Sequence, residues 1–116
     1  MKNLKPKIEK ALIETIEKSG DGFYKAYAEE NKIMVKITDE LFKDDAPEEW
    51  FHVPEYEHEE AFCFTCDGGM GWEKMNPCDA EFPDYEFEEK LDEVFKSEGL
   101  FFEPYASWKH IVTEVK

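Results

Sequence analysis

The stretch FYKAYAEENKIMVKIT, residues 23–38, decides how the chain folds. Ile33, Val35 and Ile37 alternate with Lys32, Met34 and Lys36, the period of two of a strand with one buried face. Residues 23–29 read as the strand before it. A two-residue turn at Glu30-Asn31 sets Ala28 opposite Ile33, Ala26 opposite Val35 and Tyr24 opposite Ile37. Small side chains then meet large ones across the pair, and a helix fits on that face. The same register sets Lys25 against Lys36, a like-charge contact that a longer, bulged turn would relieve.

The helix for that face precedes the hairpin. Leu4, Ile8, Leu12 and Ile16 recur every four residues over 4–19, and Ile13 widens the stripe. Pro6 falls in the first turn, where a missing N–H costs nothing. Glu14 and Lys18 form a favourable i, i+4 pair, and Ser19-Gly20 ends the helix.

After the hairpin the pattern weakens. Residues 39–60 contain two prolines and no sustained period. They predict irregular turns pinned by Leu41, Phe42, Trp50, Phe51 and Val53, with a helical turn over 47–51 opened by Pro47. Residues 60–66 read as a strand. Gly68, Gly69 and Gly71 break it, and 71–75 return as a second short strand. The stripe Phe87, Leu91, Val94 and Phe95 predicts a second helix over 84–98, with Asp84 as N-cap and Gly99 just past its end. Residues 108–115 alternate as a final strand. The expected order is α-β-β, an irregular acidic block, β(β), α-β. This is one α+β domain over 1–116, a mostly antiparallel sheet with two helices.

Size and composition suit that fold. A chain of 116 residues, 41% of them apolar, buries roughly two-thirds of its unfolded surface in one core. Ten Phe, five Tyr and three Trp supply much of it. The N-terminus MKNLKPKIEK carries no apolar segment, no run approaches the roughly 20 residues of a membrane span, and the cysteine count is odd. These features predict a cytoplasmic protein with reduced thiols and no membrane contact.

Charge is the strongest functional signal. The formal net charge is −15. Residues 39–60 carry ten acids and one Lys, and residues 73–98 carry ten acids and three Lys. Every basic residue is Lys, so no guanidinium fork exists for phosphate or guanine. Direct nucleic-acid binding is thereby disfavoured. Clustered acids interleaved with aromatics instead predict a non-enzymatic interaction domain. Its partner is a basic protein surface, such as that of a nucleic-acid-binding protein whose groove the carboxylates occupy in place of phosphates. The candidate contact residues are Asp44, Asp45, Glu48, Glu49, Trp50, Glu55, Tyr56, Glu57, Glu59 and Glu60 in the first block. In the second they are Asp84, Glu88, Glu89 and Asp92.

Two other chemistries have residues to support them. Cys63-Phe-Thr-Cys66 is a CxxC that, with Cys78 and either His58 or His52, has the donors of a Cys₃His zinc site. Regular strand geometry opposes it, because Cys63 and Cys66 would point to opposite faces. A redox dithiol is weaker still, since Glu59, Glu60, Asp67 and Glu73 raise thiol pKa values. DGGMGW lacks the Lys-Ser/Thr of a phosphate loop. The only serines, Ser19, Ser97 and Ser107, have no nucleophile context, and no catalytic pattern stands out.

Overall fold

The computed structural model describes residues 3–55, 62–81 and 83–115. They form three α-helices and a six-stranded antiparallel sheet. The elements are α1 (Lys5–Ser19), β1 (Tyr24–Glu29), β2 (Lys32–Ile37), β3 (Glu48–His52), β4 (Cys63–Thr65), α2 (Gly69–Met75), α3 (Phe87–Ser97), β5 (Leu100–Ala106) and β6 (Lys109–Glu114). The strand order is β1-β2-β3-β4-β6-β5. The α+β class expected from the sequence is the one observed.

The hairpin has the predicted register, Tyr24 to Ile37 through Ala28 to Ile33, including Lys25 opposite Lys36. Glu30 takes a left-handed φ of 56° in the two-residue turn, so no longer loop relieves the lysine pair. Helix α1 lies on the small-residue side and buries Ile8, Ala11, Leu12 and Ile16.

Three elements depart from expectation. Residues 48–52 form a strand, not a helical turn. A bulge between Ile33 and Met34 turns both Trp50 and Phe51 toward the core, which erases the period-two alternation of a regular strand. Residues 69–75 form a helix rather than a second short strand, and its Gly71 rests on the backbone of Trp50. Residues 100–106 form an edge strand, where Pro104 is tolerated because no ladder bond needs its missing N–H. Asp84 does not cap α3. It accepts from the Glu86 N–H at 3.1 Å in a turn just ahead of the helix.

The sheet is two staggered triplets, β1-β2-β3 and β4-β6-β5. Among the described residues they share one paired row, His52 with Thr65. Their inner faces meet under α1 and α3 in an aromatic core. Phe64 touches the rings of Phe51, Phe95, Phe102 and His110, at centroid distances of 5.8, 5.6, 5.7 and 5.0 Å.

Candidate functional site

One end of the β1-β2-β3 triplet brings the first acidic block to Asp84 of the second. An antiparallel ladder brings the start of β1, the end of β2 and the start of β3 together, so the 38–47 loop projects from that end. Asp44, Asp45 and Glu49 are exposed there. The second block arrives along a strap. Asn76 Nδ2 donates to the Ser107 carbonyl at 2.9 Å beside the β5–β6 turn, and Asp84 reaches the start of β1.

The blocks meet around Tyr24. Burial first, then the Asp84 and Glu48 carboxylates, push its hydroxyl above the ordinary tyrosine value. Glu48 accepts from Trp50 Nε1 at 2.9 Å, and the Trp50 and Tyr24 rings pack edge to face at 5.0 Å. Lys74 is the cation of the cluster. Its Nζ lies 3.2 Å from Asp84 Oδ2, and 5.9 and 6.0 Å from the centroids of Trp50 and Phe87. Burial pushes the Asp84 carboxyl up, but the Lys74 and Glu86 hydrogen bonds and the charges of Lys74 and Lys90 outweigh it, leaving the net shift downward.

The other candidates divide. Glu88 and Glu89 are exposed on the first turn of α3, and Asp92 pairs with Lys96 at 2.9 Å. Trp50 is only 2% exposed, so it supports the end from beneath and is no surface anchor. Glu55 lies at the other end of the triplet, two residues past Val53, whose N–H donates to the Asn31 carbonyl. Tyr56, Glu57, Glu59 and Glu60 lie outside the described residues.

The sequence reading missed the apolar groups this end displays. Leu41 and Phe42, expected to pin turns, are 85% and 45% exposed. Two successive turns hold them out, closed by Leu41 N–H to Asp39 Oδ1, Phe42 N–H to the Asp39 carbonyl and Asp45 N–H to the Phe42 carbonyl. Tyr85 is also exposed. An apolar pair inside a run of acids is visible in the sequence, but nothing local says that it stays exposed.

The cysteines do not gather. Cys66 is buried in the core on the Phe64 side of the sheet, and alternation sends Cys63 to the other face. Cys78 is exposed. His58 lies outside the described residues, and among those described no three His, Cys, Asp or Glu side chains group closely enough for a metal. Burial, with Asp67 adding to it, pushes the Cys66 thiol up to about 12. An alkylating reagent should therefore label Cys78 at once and Cys66 only on unfolding, as read by peptide mass spectrometry.

His110 is also buried, stacked on Phe64 with a 6° interplanar angle, and its Nδ1 has no hydrogen-bond partner. Burial lowers its pKa below the ordinary 6.5. The unfolded chain then takes up this proton first as pH falls, so stability declines below pH 6.5, by at most about 1.4 kcal/mol per unit. Above that pH the contribution is fully present. Urea titrations across this range should show the decline in the native protein and a flatter limb in His110→Phe.

Among the described residues no helix is long and apolar enough to cross a membrane. No protein-family model, no curated protein and no solved structure matches the chain.

Proposed function

We propose that the protein is a cytoplasmic, non-enzymatic binding domain whose acidic end docks on a basic protein surface, as on the nucleic-acid groove of a partner. The observation that carries this reading is the convergence at Tyr24. Glu48 and Asp84 come from blocks far apart in sequence, yet Trp50, packed on Tyr24, donates to the first and lies under Lys74, which pairs with the second. Residues 39–49 alone hold six acids against one Lys. The acids steer a cationic surface into contact, while Leu41, Phe42 and Tyr85 supply apolar area that charge alone lacks.

The test has two stages. Immobilised protein should capture a basic partner from host lysate at low salt and release it as salt rises. Added protein should then weaken that partner's grip on nucleic acid. Salt-indifferent capture, or nucleic-acid binding untouched by an excess of the protein, would contradict the reading.

A further inference from the structure

We infer that the notch between β3 and β4 is a pocket for one cationic head group, the ammonium of a lysine or the guanidinium of an arginine presented by the partner. The inference rests on the acidic-end reading and adds a specific subsite to it.

The notch follows from the stagger of the sheet. Beyond the His52–Thr65 row, β3 continues backward through Phe51, Trp50 and Glu49, and a regular ladder would lay residues 66–68 beside them. The chain goes elsewhere. Cys66 N–H donates to the Trp108 carbonyl at 2.8 Å, so the segment follows β6. Gly68 and Gly69 then take φ values of 83° and 69° and turn it into α2. A cavity of about 360 Å³ is left where the ladder would have run.

Its walls suit a cation. Glu49, Asp67, His52, Thr65 and Gly68 line it, and no lysine does. Lys109, next to Thr65 in the row, holds its Nζ 5.2 Å from the centroid of the Tyr105 ring, on the β5 side of β6 and away from the notch. Two carboxylates and a hydroxyl are acceptors, while ammonium and guanidinium groups are pure donors. The volume is at the small end for ligand sites, enough for one side chain. A metal ion fits less well, because no three ligating side chains converge among the described residues. The floor is firm, since Trp50 and Phe51 are buried and Gly71 backs onto the Trp50 carbonyl.

The experiment uses the full-length ¹⁵N-labelled protein titrated with methylguanidinium chloride and with n-butylammonium chloride. Sodium and tetramethylammonium chloride serve as controls at matched ionic strength. The two N–H cations should give saturable shifts at the amides of 49–52 and 65–68, and the controls should not. Asp67→Asn should weaken that binding at least fivefold, and Glu103→Gln, on the edge strand β5, should leave it unchanged. Linear, unsaturable shifts, equal shifts throughout the 39–47 loop, or indifference to Asp67→Asn would overturn the pocket. None of those results would touch partner capture by the acidic end, so the two readings fail separately.

Discussion

Replacing Gly71 by alanine is expected to destabilise the protein by about 3 kcal/mol or more. On helix propensity alone the change should help by up to about 1 kcal/mol, because Gly71 sits inside α2. Packing decides otherwise. A Cβ there would lie 2.6 Å from the Trp50 carbonyl carbon and overlap its oxygen. The obstacle is backbone, so no rotamer change relieves it, and α2 would have to lift off β3. That would disturb Lys74 and Asp84 as well, since α2 carries Lys74. Urea unfolding followed by tryptophan fluorescence should show a midpoint well below that of the native protein. A neutral or stabilising result would mean that α2 does not press on β3.

Truncating Phe64 to alanine should cost about 3–5 kcal/mol, the usual range for a fully buried phenylalanine. Phe64 has no exposed surface and sits among four rings contributed by β3, α3, β5 and β6. Its contact with Phe51 joins the cores of the two triplets, whose backbones share one paired row among the described residues. Phe64→Leu keeps much of the apolar volume and should cost less than half as much. Equal losses for the two variants would show that the ring contacts, rather than the filled volume, dominate.

How much of this was legible depends on whether local pattern and tertiary demand agreed. The β1–β2 register was readable because alternation and a two-residue turn each specify it alone. Helix α1 was readable from its four-residue stripe. Strand β3 was hidden by its bulge, which buries consecutive residues and so imitates no period. Helix α2 was hidden by its glycines. They read as breakers, yet Gly71 is where α2 must pass close to Trp50. Asp84 looked like a cap because nothing local announces Lys74, ten residues earlier, as its partner. For the candidate site, the two acidic blocks were plain in the composition. Their meeting at Tyr24 was not, because it depends on Lys74 of α2 pairing with Asp84 while lying over the Trp50 ring that packs on Tyr24. The reading also placed Leu41 and Phe42 inside and Trp50 on the contact surface, and the structure reverses both.

The most direct measurement compares two variants with the same charge change. One neutralises Asp44, Asp45 and Glu49 at the acidic end. The other neutralises Glu29, Glu30 and Glu55 at the opposite end of the triplet, about 20 Å away along the strands. Each lost contact is worth about 0.5 kcal/mol, so the first variant should bind the captured basic partner about tenfold more weakly at low salt. The second should change affinity less than twofold. Equal effects from the two variants would mean that only net charge matters, and would contradict a docking face at the acidic end.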